Sequence, residues 1–128
     1  MTEDYKSCVR NITEEHGQQF FGHYGWALSK ALVHPDTTGS RQIDYWISTY
    51  QPMACVELHT HKVQEQACHV LVGEGLMEIN GKCNVDSKHD VIFLPPGTAL
   101  SIQNSELCDL TFIVVTTPVL DEWGEKVA

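Results

Sequence analysis

The chain has 128 residues, of which 42% are hydrophobic, and its 17 acidic and 8 basic residues give a formal net charge of -9. This length and apolar fraction suit one globular domain with a single core and exclude a disordered chain. The acidic balance argues against a nucleic-acid partner, because affinity for nucleic acid comes mainly from Lys and Arg side chains that meet phosphates. No run approaches the roughly 18 apolar residues that a membrane span needs, so we expect no membrane partner.

The amino-terminal stretch and the cysteines indicate the cellular compartment. The first ten residues, MTEDYKSCVR, lack the apolar stretch of a secretory signal. The five cysteines are odd in number and widely spaced, and no two of them form a C-x-x-C pair, so reduced thiols are expected. We therefore expect a cytoplasmic protein.

Residues 1–41 are expected to form an N-terminal arm and loop outside the main domain. The arm contains the aromatic, glycine-broken stretch FFGHYGWALSKA at 20–31, and it ends in the loop sequence PDTTGSR at 35–41. From residue 42 onward the composition favours strands, because QIDYWISTY at 42–50 is rich in β-branched and aromatic residues.

The following stretches also alternate or form short apolar runs between turn residues. Asn80 and Gly81 form a strong two-residue hairpin signal. The predicted strands after residue 50 are 54–61, 66–72, 74–79, 82–85, 91–94, 98–103 and 107–116. About seven or eight short strands separated by turns predict an antiparallel sandwich or barrel.

Two histidines stand one residue apart in the predicted strand 54–61. Residues i and i+2 of a strand point to the same face, so the imidazoles of His59 and His61 would share one volume. Two imidazoles plus an oxygen donor from a neighbouring strand can form the first shell of a divalent metal ion. The alternative is that they are two surface histidines without a chemical role.

One stretch around these histidines resembles the first motif of the cupins, small double-sheet jelly-roll proteins. That motif reads G-x5-H-x-H-x(3,4)-E-x6-G. Met53 stands at its first glycine, His59 and His61 at its histidines, Gln66 at its glutamate and Gly73 at its closing glycine.

A later stretch resembles the second cupin motif, G-x5-P-x-G-x2-H-x3-N. Pro95, Gly97 and Asn104 match it, whereas His89 replaces the first glycine and Leu100 replaces the histidine. In cupins that histidine normally supplies the remaining imidazole ligand.

The resemblance implies an all-β fold, a double-stranded β-helix or jelly-roll barrel with a short N-terminal arm. The barrel would span residues 42–116, preceded by the arm and loop at 1–41 and followed by a C-terminal tail at 117–128. Small cupins commonly pair as homodimers, and the aromatic segment 20–26 is the expected contact.

The resemblance also implies a divalent metal ion, either iron, zinc, nickel or manganese, held by His59, His61 and Gln66. Glu65 fits the shorter spacing of the first motif, so an exchange of roles between Glu65 and Gln66 stays open. Glu57 or Glu65 would act as general base. The expected cavity wall consists of Tyr45, Phe93, Leu100 and Phe112.

Three functions follow from this sequence. The first is a metal-dependent cupin enzyme that acts on a small organic molecule by oxygenase, isomerase or lyase chemistry. The second is a metal-free cupin that binds a small molecule in a sensory or accessory role, which Leu100 favours. The third is a metal-free isomerase or epimerase that uses His59 or His61 as its base.

Overall fold

The computed structural model describes residues 5–127 of the chain, which form ten β-strands after one 3-10 turn at Ile12–Glu14. The strands are β1 (His23–Tyr24), β2 (Ala27–Val33), β3 (Asp44–Tyr50), β4 (Cys55–Thr60), β5 (Glu65–Val72), β6 (Glu74–Ile79), β7 (Lys82–Ser87), β8 (Val91–Leu94), β9 (Ala99–Gln103) and β10 (Leu110–Thr117). The first four residues of the predicted arm and the last residue of the predicted tail lie outside the described residues. Within residues 5–127, no helix has the length and apolarity that crossing a membrane requires.

The strands form two five-stranded antiparallel sheets. Sheet I has the order β2-β3-β10-β5-β8, and sheet II has the order β1-β4-β9-β6-β7. The chain passes between the sheets several times, as in a jelly roll. This architecture confirms the predicted all-β, double-sheet fold.

The core lies between the two sheets because each contributes alternate side chains to it. In β3, Ser48 and Tyr50 are buried, whereas Thr49 between them is only partly covered. Tyr50 meets Phe112 of β10 edge to face, with ring centroids 5.1 Å apart. Such aromatic pairs add to the stabilisation that burial of their surface provides. The other residues of this buried apolar cluster are Ala27, Ala54, Val56, Cys68, Val70, Met77, Leu94, Leu100, Ile102 and Leu110.

Two glycines allow the chain to turn where a side chain would not fit or would be strained. Asn80 and Gly81 both have positive φ, at 49° and 82°, and they join β6 to β7 with Ile79 opposite Lys82. This is the hairpin that the sequence predicts. Gly73 joins β5 to β6 with φ of 84°, and a Cβ atom there would clash with the Asp109 carbonyl oxygen.

The structure differs from the expectation that residues 1–41 lie outside the barrel. β2 pairs with β3 from Ala27 opposite Tyr50 to Val33 opposite Tyr45, so it completes sheet I at one edge. Gly22 and Gly25 precede this strand, and its sequence ALSKALV carries weak alternation, so its strand conformation depends on the partner strand.

Candidate functional site

A cavity of about 380 Å³ lies against the inner face of sheet I. Its volume is within the range of small-ligand pockets, about 300–1,000 Å³. Strands β2, β3, β5 and β10 supply most of its wall, together with the segment that joins β4 to β5. The lining residues are Phe20, Ser29, Asp44, Trp46, Ser48, His61, Gln64, Gln66, Val114, Thr116 and Val127.

The neutral polar groups of the wall are held by hydrogen bonds between neighbouring strands and between residues that flank them. The hydroxyls of Ser29 and Ser48 lie 2.7 Å apart on the paired strands β2 and β3. Gln66 donates from Nε2 to Thr116 Oγ1 at 3.2 Å, and Gln64 donates from Nε2 to the Pro118 carbonyl oxygen at 2.9 Å. Each amide nitrogen carries two N–H groups, so each keeps one donor beyond these bonds.

Asp44 is the acidic residue of the wall. The residue is 8% exposed, and its Oδ1 atom is buried without a hydrogen-bond partner. Burial raises the pKa of the Asp44 carboxyl above its usual value. Hydrogen bonding from the Trp46 and Thr116 side chains and the charge of His34 partly oppose this shift. The carboxyl therefore takes up a proton more readily than an exposed aspartate does.

His59 and His61 lie together at the end of β4. Their rings are 5.2 Å apart and nearly perpendicular, and His59 Nδ1 lies 2.9 Å from the Glu57 carbonyl oxygen. His61 lines the cavity, whereas His59 lies beside it without being part of the wall. Burial lowers the pKa of His61, and the nearby His59 lowers it further, although Gln64 and Asp44 act in the opposite direction.

The donor types of His59, His61 and Gln66 fit a divalent ion of borderline softness. The lowered pKa of His61 favours the neutral imidazole, the form that binds metals. The set depends on the Gln66 amide, because no three His, Cys, Asp or Glu side chains within residues 5–127 gather as a metal-holding group. Leu100 is opposite His59 in the ladder but is a buried apolar residue, so it adds no donor.

The two acids predicted as general bases do not line the cavity. Glu57 is exposed and accepts a hydrogen bond from the Tyr24 hydroxyl at 3.2 Å. Glu65 is exposed at the start of β5, and as the strand neighbour of Gln66 it faces the opposite way. A base role for either residue therefore requires a substrate that reaches beyond the cavity.

The four residues expected in the cavity wall lie elsewhere. Leu100 and Phe112 are buried in the core, at 6% and 2% exposure. Phe93 is 61% exposed, and Tyr45 lines a separate surface pocket. Tyr45 is flanked in β3 by two lining residues, and alternation along the strand turns its own side chain outward.

Sequence reasoning missed Asp44, Trp46 and Ser48 as site residues. Their alternation in QIDYWISTY places them on one face of a strand, which was readable from the sequence. The alternation does not tell which of the two faces points inward, because that depends on how β3 packs in the sheet.

His23 is a further histidine near this end of the barrel. It belongs to β1, and its ring meets Tyr50 edge to face with centroids 6.1 Å apart. Burial lowers the pKa of His23, and His59 also contributes to the shift. Nothing in the sequence around FFGHYGW indicated that this histidine faces the barrel.

Comparison with known proteins gives a partial sequence match. No family model matches the chain. The chain is similar to an oxalate-binding protein from Thermotoga maritima, with 36% identity over 64 residues. These residues are 50% of this chain and 53% of that protein, so the match spans about half of each.

Solved structures match over most of the chain. A predicted oxalate decarboxylase from Thermotoga maritima superposes with a TM-score of 0.78 and 24% identity, covering 87% of this chain and 99% of that one. An RmlC-like cupin from Shewanella frigidimarina superposes with a TM-score of 0.74 and 14% identity, covering 92% and 96%. The described chain therefore has the double-stranded β-helix fold of the cupins.

Proposed function

We propose that this protein is a cupin that holds a divalent metal ion at His59, His61 and Gln66 and acts on a small organic molecule bound in the adjacent cavity. The observation that supports the proposal is that His61, which follows β4 directly, and Gln66 of β5 both line the same cavity of about 380 Å³. Iron, zinc, nickel and manganese all accept imidazole and oxygen donors.

Because the cavity wall has no permanently positive side chain, the metal ion is the group that would attract an acidic ligand. The lining contains Asp44 and no Lys or Arg, so a carboxylate ligand finds no fixed cation there. Oxalate is a reasonable first probe because a relative that matches half of this chain is named an oxalate-binding protein. When bound, the ion would supply positive charge and polarise a carbonyl or carboxylate oxygen.

The protein's own side chains would bind and orient the organic molecule. Phe20, Trp46 and Val114 give the cavity apolar surface. The amide of Gln64 and the hydroxyls of Ser29 and Ser48 give it groups that can form hydrogen bonds. A carboxyl with a raised pKa, such as that of Asp44, can hold or release a proton next to the bound molecule.

Elemental analysis tests this proposal. The wild type, expressed with iron, zinc, nickel and manganese supplied and then dialysed, should retain about one ion per chain. His59→Ala and His61→Ala should abolish retention, and Gln66→Ala should weaken it less, because an amide oxygen is the poorest of the three donors. His16→Ala, an exposed histidine outside the site, is the matched control and should retain the wild-type amount.

Calorimetric titration with oxalate adds a second measurement. Oxalate should bind the metal-loaded protein and lose most of its affinity once a chelator has removed the ion. A wild type that retains no stoichiometric metal under any of these conditions would contradict the proposal.

A metal-free binding protein is the second candidate. The burial of Leu100 in the core favours it, because the position that supplies a further imidazole in the cupin motif offers no donor. In that case the cavity should bind small molecules equally well before and after treatment with a chelator.

A further inference from the structure

We propose that Asp44 determines the ligand specificity of the cavity by accepting a hydrogen bond from a hydroxyl group of a small hydroxylated carboxylic acid. This inference rests on the proposed function, because the carboxylate of such an acid is assigned to the metal side of the cavity. Asp44 would be a specificity-determining residue that the cupin motifs do not contain.

The unpartnered oxygen of Asp44 carries the inference. Oδ1 is buried, has no hydrogen-bond partner, and belongs to a residue that lines the cavity. A buried acceptor without a partner is unfavourable, and almost all such groups in folded proteins are paired. A ligand that brings a donor to this oxygen removes the penalty, and a ligand without one does not.

The position of Asp44 distinguishes it from another acid with a similar defect. Asp86 also has a buried oxygen without a partner, but it lies in the edge strand β7 and does not line this cavity. Burial raises the pKa of both carboxyls. Asp86 therefore serves as a matched control, with the same chemistry and no access to the ligand.

The rest of the wall contains both donors and acceptors. Gln64 and Gln66 donate from Nε2 to the Pro118 carbonyl oxygen and the Thr116 hydroxyl, and each Nε2 carries a second N–H. A ligand that complements this wall needs a group that both donates and accepts, in addition to its carboxylate.

A hydroxyl group suits this wall better than an ammonium group. The serine hydroxyls of the wall both donate and accept, and a ligand hydroxyl can do the same, whereas an ammonium can only donate.

Three acids that differ at a single carbon test the inference. Succinate, L-malate and L-aspartate carry hydrogen, hydroxyl and ammonium there. Their affinities should be measured by calorimetry for the metal-loaded wild type and for Asp44→Ala, Asp44→Asn and Asp86→Asn. A hydrogen bond to this buried acceptor should make L-malate bind the wild type about tenfold or more tightly than succinate.

The variants assign this preference to one residue. In Asp44→Ala the preference should fall to less than about twofold, and in Asp44→Asn, which keeps an oxygen acceptor, it should be intermediate. Asp86→Asn should keep the wild-type preference. Thermal unfolding shows whether each variant is folded. If Asp44→Ala does not fold, Asp44→Asn still tests the role of this residue.

Elemental analysis of the same samples distinguishes a failure of the proposed metal site from a failure of the inference about Asp44. A wild type without metal rejects the metal site, and the affinities for the three acids are then compared on the metal-free protein. Equal affinities for L-malate and succinate, no binding of either, or a preference that survives in Asp44→Ala would each overturn the role of Asp44. Tighter binding of L-aspartate than of L-malate would overturn the assignment of a hydroxyl.

Discussion

Asp44 connects the stability of the protein to pH. Its pKa in the folded state is raised, so the folded protein binds a proton more readily at this site than the unfolded chain does. The contribution of Asp44 to stability is therefore fully present below the ordinary pKa of aspartate and is lost as the pH rises through the raised pKa. At neutral pH the group destabilises the protein relative to an uncharged residue of the same shape.

Asp44→Asn should remove this pH-dependent term. We expect the free energy of unfolding at pH 7.5 to rise by up to about 1 kcal/mol, because the variant no longer buries a charged, unpartnered oxygen. The gain should shrink at pH 4. Urea denaturation at several pH values measures it, and a difference between variant and wild type that does not change with pH would contradict the shifted pKa.

Leu100→His should restore an imidazole at the position where the cupin motif has one. Leu100 lies opposite His59 on the adjacent strand, so the two side chains share a face of sheet II. Because the position is buried, the variant without metal should lose about 1–3 kcal/mol of stability, and added metal should restore part of it. Melting temperatures with and without zinc, together with the zinc affinity measured by competition with a chelator, give the result. A zinc affinity no higher than that of the wild type would contradict a site next to His59.

The sequence predicted some residues of the candidate site and missed others. The i, i+2 spacing placed His59 and His61 on one face, and their rings do lie 5.2 Å apart. The same rule placed Asp44 with Trp46 and Ser48, but it could not tell that this face lines a cavity. Inward and outward faces are decided by packing against other strands, which a local pattern does not contain.

At the scale of elements, the sequence predicted strands where turn residues bound them and missed those that depend on a partner. The Asn80-Gly81 hairpin was predicted because its turn chemistry is local. β2 was missed because its strand conformation depends on pairing with β3. In the sequence, the loop residues 35–41 stand between the two strands and hide their relation. The two-residue strand β1 gave no periodic signal at all.

Gly73→Ala tests the connection between β5 and β6. A Cβ atom there would clash with the Asp109 carbonyl oxygen, in addition to the strain of a positive φ. We expect a loss of about 3 kcal/mol or more. Gly81→Ala is the matched control, because it has a similar φ of 82° and no atom within 4 Å of the added Cβ. It should cost only about 1 kcal/mol, and equal losses in urea denaturation would contradict the clash.

At the scale of the whole molecule, we predict a homodimer that forms through the aromatic segment 20–26. Phe21, Tyr24 and Trp26 are 98%, 53% and 64% exposed. Tyr24 belongs to β1 at the edge of sheet II, and Phe21 and Trp26 lie on either side of this strand in the sequence. Clustered apolar side chains beside a sheet edge are typical of an interface. Sedimentation at micromolar concentration should therefore show a species of twice 14.4 kDa.

Phe21→Ser combined with Trp26→Ser should shift the protein to the monomer. Trp123→Ser is the control, because Trp123 is 79% exposed but lies in the C-terminal tail. A wild type that sediments only at 14.4 kDa would contradict the prediction.

The cavity wall is assembled from segments that are far apart in the chain, from Phe20 to Val127. No short fragment contains the wall, so a molecule that binds there stabilises the whole domain against unfolding. Binding at 100 times the dissociation constant adds about 2.7 kcal/mol by mass action. A library of small acids can therefore be screened by melting temperature alone, before any reaction is known, and the wild type and Asp44→Ala would together report which hits reach the cavity.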